Sequence, residues 1–597
     1  MTHDAATIHQ QHRDRFAQEA VRQERTFSRL GWPRFLLFLI ASVTLIAWWS
    51  NRTTGYVVGA TASTVLFFAL GIFMLRIRTK LEMSERRRDI HARHLMRIED
   101  QWSGLLSTGI EFVEKDHIYA WDVDLVGNGS LFQRIDTTHT VQGGQRLADW
   151  LTAAAPASEV TMRQVAVREL ATQLDFRQEL ECAVLGRSTV RLDARPFLRY
   201  LKMPNLTSAR GRLLTVAIGT LMLTYGLLAL GIVGVISKGA WLVPLILQLA
   251  VWFRFQSRAS DALDWLTARF DFAEAFGRAF QVICASTFFS SYLLRQQEHI
   301  RYAEASLLSL HRLVRAVELR QQGLLHAFLN PLLLWDLVCA LRLDHWKEKH
   351  GASTPGGFEA VATLEALSAL ASYAFTEPQA VFPEVMAQGG SWQAEQLGHP
   401  LLSARDRVSN NVSLPDPGTL LLITGSNMAG KSTLLRAAGL NTALALAGGP
   451  VCASRMQLSI CRLRASIRIE DSLQAGASYF HAELARLDRV LDQANLKPPV
   501  FFLLDELLRG TNAQARHEAS RAVLNHLLAA GALGMIATHD TELTAMATES
   551  PEKVVNAHFT DVMVGTEMMF DYTLQPGPVR SSNAVRLVSD LLARHKV

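Results

Sequence analysis

The sequence predicts an α + α/β chain: a mostly helical region with two transmembrane helical hairpins, then a C-terminal α/β domain with a mixed sheet. Three observations predict it. Hydrophobic residues make up 49% of the 597 residues, and mean hydropathy is slightly positive at +0.12, so membrane segments are to be sought first. Uncharged runs occur in two close pairs. In the last third, a short apolar run, a Gly-x-x-x-x-Gly-Lys-Ser loop and a helix-like stretch follow one another. Six segments result: polar 1–34, a hairpin at 35–80, a helical core at 81–210, a second hairpin at 211–254, more helical core at 255–395, and the α/β domain at 396–597.

The first pair is Phe35–Trp49 and Tyr56–Leu75, joined through Asn-Arg-Thr-Thr-Gly. Each is near the length that spans a bilayer, the first being short. The second pair is Leu213–Ile236 and Ala240–Phe253, separated by Ser-Lys-Gly. Its last run is short and contains Pro244, which leaves a buried or re-entrant helix as the alternative. Arg34, Arg76, Arg78, Lys80, Arg210, Arg212 and Arg254 flank the hairpins on their long-loop sides, whereas the connectors carry only Arg52 and Lys238. The positive-inside rule then puts both termini and the bulk of the chain in the cytoplasm, on about four helices in a bacterial inner membrane. Residues 1–34 lack the pattern of a cleaved signal peptide. The basic stretch Ser84–Arg97 suits lipid headgroups or a solvated helix face.

Beyond the hairpins the chain reads helical. Leu293–Leu329 repeats apolar residues at three and four, a pattern suited to a long helix that transmits a rotation. Gly351–Gly357 reads as a loop. A net charge of +5 with pI near 9.0 suits anionic lipid or nucleic acid without separating them. The five cysteines are scattered, with no Cys-x-x-Cys and no nearby His pair at zinc spacing, and indicate neither a disulfide framework nor a metal site.

In the α/β domain the apolar run Leu420–Ile423 breaks into a loop of Gly425, Ser426, Asn427, Met428, Ala429 and Gly430, and Lys431, Ser432 and Thr433 open the helix. Strand, glycine loop and helix in that order form a P-loop: backbone N–H groups cradle the phosphates of ATP, Lys431 reaches the terminal ones, and Ser432 holds Mg2+. A second strand, Val500–Leu504, ends in Asp505 and Glu506. Asp505 is placed to hold Mg2+ through water, and Glu506 to orient or deprotonate the attacking water. A third, within Leu533–Asp540, ends in Thr538 and His539 at the sheet edge where ligands bind. His539 is a candidate for the terminal phosphate or the lytic water.

These stretches resemble the MutS family of mismatch-repair ATPases, in "TGSNMAGKST", "DELLRGTN" and "IATHDTEL". The resemblance implies an ABC-like ATPase domain working as a dimer on DNA. It makes Ser478, within "DSLQAGASYFHAE", the residue that crosses to the partner's ATP, with Phe480 and Glu483 in pattern; a helix cap is the plainer reading of Ser478. Upstream, Asp122–Leu151, Arg163–Leu170, Leu364–Ala374 and Gly398–Leu402 are similar to the family's core and lever region. Three departures stand out. A polar segment and a hairpin occupy the place of the mismatch-reading domain, and the second hairpin interrupts the levers where the family places its DNA clamp. Arg407 occupies the place of the aromatic against adenine, leaving His558 as a candidate for the base. The Tyr-Gly expected near Arg580–Val588 is lacking.

The leading expectation is a membrane-anchored, dimeric MutS-like ATPase that binds mismatched or structured DNA, with lever motion coupled to ATP turnover. The alternative is an ABC-like ATPase coupled to a membrane or protein partner, in transport or signalling, without DNA. A transporter lacks support from an LSGGQ-like signature, and a non-catalytic scaffold sits poorly with Lys431, Asp505, Glu506 and His539 all present.

Overall fold

The computed structural model describes residues 2–186, 190–206, 210–267, 270–317, 320, 323–426, 428–468, 479–508, 511–564 and 567–579. It divides into two compact units. The first holds 1–136, 150–161 and 370–597, the second 137–149 and 162–369. The first hairpin thus groups with the C-terminal α/β domain, and the second with the helical core.

In the first unit, two long helices form the hairpin, α1 (Thr2–Asn51) and α2 (Thr54–Ile98). The polar segment 1–34 is not separate from the first expected span; one helix runs through both, with Pro33 inside it. At 1.5 Å per residue, α1 is about 75 Å long, more than twice the hydrocarbon thickness of a bilayer. Its exposure changes along its length. Phe35, Val43, Ile46 and Trp49, with Val58, Val65, Phe68 and Leu75 of α2, are exposed, whereas Ala5, His9, Ala20, Ile90, His91 and Leu95 are buried at the open end.

The α/β domain holds two sheets. Strands β1 (Glu384–Met386), β2 (Trp392–Leu397), β3 (Asn410–Leu414) and β5 (Arg455–Ser459) form one in the order β1-β5-β2-β3. The other orders β4 (Leu420–Thr424), β6 (Arg462–Ser466), β7 (Val500–Asp505), β8 (Leu533–Ala537), β9 (Val554–Val564) and β10 (Glu567–Pro576) as β10-β9-β4-β8-β7-β6. It is parallel from β6 to β9 and antiparallel between β9 and β10, the mixed sheet expected. Strands β4, β7 and β8 are near-continuous apolar runs because both faces are covered. On one face Leu422, Phe502, Leu504 and Ile536 pack with Leu524 and Leu527 of the helix Ala513–Ala529. Trp392 stacks on Phe501 at 5.2 Å between ring centroids and donates its indole N–H to Thr442 Oγ1, so its buried nitrogen is satisfied.

A loop that precedes the helical core in sequence also belongs to this unit. Asp122, 2% exposed, accepts hydrogen bonds from the backbone N–H of Ile467 (2.9 Å) and Arg468 (2.7 Å) and from Arg486 Nη1 (3.0 Å). Asp124 pairs with Arg436 at 3.3 Å and Arg468 at 2.7 Å.

The second unit is helical. Its hairpin consists of Arg210–Ile232 and Leu242–Thr267. Pro244 falls in the first turn of the latter, where no intrahelical partner for an N–H is lost. Both helices pack on the second member of a helix pair, Gly323–Leu333 and Trp335–His350, through Leu214, Ala217, Val251, Leu337 and Leu341. That pair breaks at Leu334, whose φ is 51°. The break frees carbonyls, and two polar side chains of the hairpin satisfy them. Fully buried Gln248 donates to Pro331 O and Leu332 O, and Tyr225 donates to Leu332 O at 2.8 Å.

Among the described residues, three helices are long and apolar enough to cross a membrane: Ala5–Asn51, Thr54–Ile98 and Gly211–Ile232. The pair His326–Leu333 and Trp335–His350, bent by 68°, would add a fourth as one broken span. The helix Leu242–Thr267, which holds most of the expected 240–253 run, is not among them; it continues past Phe253 into Arg254, Arg258 and Asp261. The expected long helix at Leu293–Leu329 is seen as Ser291–Val317 followed by Gly323–Leu333. The expected loop Gly351–Gly357 is mostly helix. Thr354–Thr376 begins with Pro355 and two glycines in its first turn, and a Cβ on Gly357 would lie 2.6 Å from Ala303 Cβ.

Candidate functional site

The strand register builds the site. Ile423 of β4 is level with Ala537 of β8, and Ala537 with Asp505 of β7, so three adjacent parallel strands end together. At that edge the chain turns sharply after β4. Gly425 has φ 144°, and a Cβ there would lie 2.8 Å from Phe559 O; Gly430, at φ 105°, caps the helix Lys431–Ala447. Both positions require glycine. The N-terminus of that helix faces the strand ends, where its free N–H groups and dipole favour an anion.

Lys431 is 6% exposed, and its Nζ donates to Gly425 O at 2.7 Å and Ser426 O at 2.9 Å. The same nitrogen lies 3.2 Å from His539 Nε2, which is 2.9 Å from Glu506 Oε1. Ser432 Oγ donates to Asp505 Oδ2. Lys431 and His539, 108 positions apart in the chain, and Ser432 and Asp505, 73 apart, thereby join in two linked sets, Lys431–His539–Glu506 and Ser432–Asp505. Glu506 holds its position with φ 51° and donates its backbone N–H to Ala537 O. A non-glycine residue in that region is strained, and the neighbouring strand holds it there.

Ser426 Oγ is buried in the loop without a hydrogen-bond partner. An orphaned hydroxyl beside a lysine and a helix N-terminus fits a bound phosphate, and the Ser432–Asp505 pair supplies hard oxygen donors that fit Mg2+. The residues therefore fit ATP with its metal. Met428 is 85% exposed with φ 69° at the tip of the loop, Ala429 is buried, and Thr433 follows Ser432 in the helix.

The other expected residues divide. His558 of β9 is level with Thr424, the last residue of β4, and its Nδ1 lies 2.8 Å from Gly577 O. Arg407 is folded inward, donating to Leu402 O and Cys452 Sγ. Glu483, 1% exposed, accepts from the backbone N–H of Leu508, joining the helix Tyr479–Leu491 to the loop that follows Asp505. Asn427, Ser478 and residues 580–588 lie outside the described residues.

Sequence reasoning missed Tyr572. It sits at a register shift in β10 with φ 54°, and its Cδ1 lies 3.2 Å from where a Cβ on Gly430 would be. No motif marks it, because the contact depends on a bulge; Asn410 holds the bulge by donating to Tyr572 O and accepting from Leu574 N–H.

Residues 421–593 match the family described as MutS domain V. The chain is 33% identical over 236 residues to the DNA mismatch repair protein MutS of Natronomonas pharaonis, covering 38% of this chain and 26% of that protein. It is 32% identical over 228 residues to DNA mismatch repair protein MutS 2 of Halobacterium salinarum, with the same coverages. Against MutS of Lawsonia intracellularis it is 34% identical over 187 residues, 30% of this chain and 20% of that one. The chain thus spans about a quarter of the length of the curated relatives it matches. The C-terminal part of the chain thus carries a MutS domain V, and the relatives that it matches are MutS proteins.

Proposed function

We propose that the chain is a membrane-anchored ATPase that binds and hydrolyses ATP with Mg2+ at a P-loop running from Gly425 to Thr433. The observation that carries this is the convergence of Lys431, Ser432, Asp505, Glu506 and His539 at the ends of three adjacent strands. Lys431 exchanges its loop carbonyls for phosphate oxygens, so nucleotide binding replaces bonds already made. Ser432 and Asp505 hold Mg2+, which neutralises phosphate charge when bound. Glu506 takes the proton of the attacking water, and His539, beside both Glu506 and Lys431, orients that water or the terminal phosphate.

Two copies close on ATP in a homodimer, with Ser478 of each reaching the other's nucleotide. Membrane lipid surrounds the apolar parts of both hairpins in a bacterial inner membrane, with the termini and bulk domains cytoplasmic. DNA, in mismatched or structured form, is the ligand whose binding the cycle drives; the names of the relatives and the basic charge support it.

The test is ATP hydrolysis by the full chain in lipid nanodiscs, titrated with matched, mismatched and branched DNA at two salt concentrations. Stimulation by one DNA form, weakened by salt and lost in Lys431→Ala, is expected. Hydrolysis indifferent to all DNA would overturn the DNA assignment and favour a membrane or protein partner. Absence of Lys431-dependent hydrolysis would overturn the ATPase itself.

A further inference from the structure

Two His-x-x-His pairs, His9 with His12 and His91 with His94, lie in segments that are far apart in sequence. On a helix, residues three apart share a face. Because α1 and α2 run antiparallel, the open end of the hairpin brings the pairs together. His9 Nδ1 lies 3.0 Å from His91 Nδ1, the His9 and His94 rings stack at 4.8 Å, and the His12 and His91 rings meet edge-on at 4.9 Å. His9, His91 and His94 are 0%, 1% and 2% exposed, and His12 is half-buried. Phe16 stacks on His91, Phe375 meets His9 at 5.8 Å, and Arg87 lies across the Phe16 ring.

We propose that His9, His12, His91 and His94 form a binding site for a divalent transition ion of the Zn2+ class. Neutral imidazole is the commonest protein ligand for such ions, and four nitrogen donors without oxygen donors select zinc, copper or nickel over magnesium or calcium. The spacing suits zinc. Two nitrogens at about 2.05 Å from a tetrahedral ion stand roughly 3.3 Å apart, so the His9–His91 nitrogens need to separate by only about 0.3 Å. His9 and His91 share a hydrogen bond that the ion would replace, and the His12 and His94 rings, now in ring contact with them, would have to turn about their Cβ–Cγ bonds to bring in the remaining donors. The pattern parallels metal sites of helical bundles, where ligands three apart on facing helices project inward. Phe375, one residue before the end of the helix Thr354–Thr376 that leads into the α/β domain, touches the cluster. The ion would therefore fix the base of the hairpin where the chain passes into that domain.

The test uses the full chain, purified in detergent through a tag free of histidine and without chelator, then dialysed and analysed for metal. One zinc per chain is expected, and replacement by Co2+ should give the visible bands of a tetrahedral site. His9→Asn/His91→Asn should lower retention at least about tenfold, since loss of even an outer partner commonly costs that much. His12→Asn, at a half-buried position, serves if the double variant fails to fold; it should weaken retention and shift the cobalt bands. His517, Asp540 and Glu542 also converge, so His517→Asn is the control and should keep the ion. Equal metal in the parent and a folded double variant, an unaltered cobalt spectrum in His12→Asn, or loss of the ion in His517→Asn would each overturn the proposal.

Discussion

Removal of the Asp122 carboxylate should detach the loop that it anchors to the α/β domain. The side chain satisfies two backbone N–H groups and Arg486 from a position that is 2% exposed. Burial raises its carboxyl above the usual range, while Arg486 and the two N–H groups pull it down. In Asp122→Ala two donors and a guanidinium lose their acceptor. Breaking a buried pair by removing one partner costs about 3–5 kcal/mol. Asp122→Asn keeps an oxygen in place and mimics the protonated acid, so it should cost about 1.5–3 kcal/mol, the value of a hydrogen bond to a charged group. Hydrogen exchange read at Ile467 and Arg468 measures this locally. A loss of about 4 kcal/mol corresponds to roughly thousandfold faster exchange in the alanine variant, and the asparagine variant should fall between. Arg486→Ala in the Asp122→Ala background should add little, because the two share one interaction. Exchange within threefold of the parent in Asp122→Ala would refute the reasoning.

Four further outcomes are expected. Glu506→Gln should retain ATP binding and slow hydrolysis by about 10²-fold or more, measured by single-turnover kinetics; hydrolysis at the parent rate would remove Glu506 as the base. Mixed dimers of Ser478→Ala with Lys431→Ala should lose activity where no intact composite site remains, and unchanged activity in every mixture would remove the crossing contact. Glu365 is buried, and burial pushes its carboxyl up to about 7 even though His139 N–H, Thr140 N–H and Thr140 Oγ1 donate to it. Its folded pKa lies above the unfolded value, so its contribution is full below about 4.5 and is lost as pH rises through 7, by at most about 3 kcal/mol; the urea midpoint should show this and Glu365→Gln should flatten it. A Cβ on Gly439 would lie 2.7 Å from Val123 Cγ1 and 3.0 Å from Leu503 Cδ1, so Gly439→Ala should destabilise by about 1–3 kcal/mol despite its better helix propensity, read by thermal denaturation.

What was legible in the sequence follows from how local each signal is. Lys431 and Ser432 could be placed because a glycine loop between strand and helix is contiguous, and Asp505 and His539 because each ends an apolar strand. Their meeting depends on strand order, which no single segment encodes. The apolar halves of α1 and α2 were plain from hydropathy. The continuation of α1 through residues 2–34 was hidden because polar residues carry no span signal, and one long helix runs through them with Pro33 inside it. Gln248 interrupts an apolar run, and its role depends on the break at Leu334, which supplies the carbonyls that it satisfies. Asp122, Glu365 and Tyr572 act through partners distant in sequence, and no local pattern marks them.

The length of α1 sets an electrical distance. From His9, level with Phe375, to Phe35, where the apolar stretch begins, about 26 residues of helix span roughly 39 Å. On the membrane reading, that stalk is about five Debye lengths at physiological ionic strength. A leaflet potential of about −30 mV has decayed there to well under 1 mV. Polyanions approaching at the level of Phe375 would meet the field of the protein's own charges, with that of the lipid screened away.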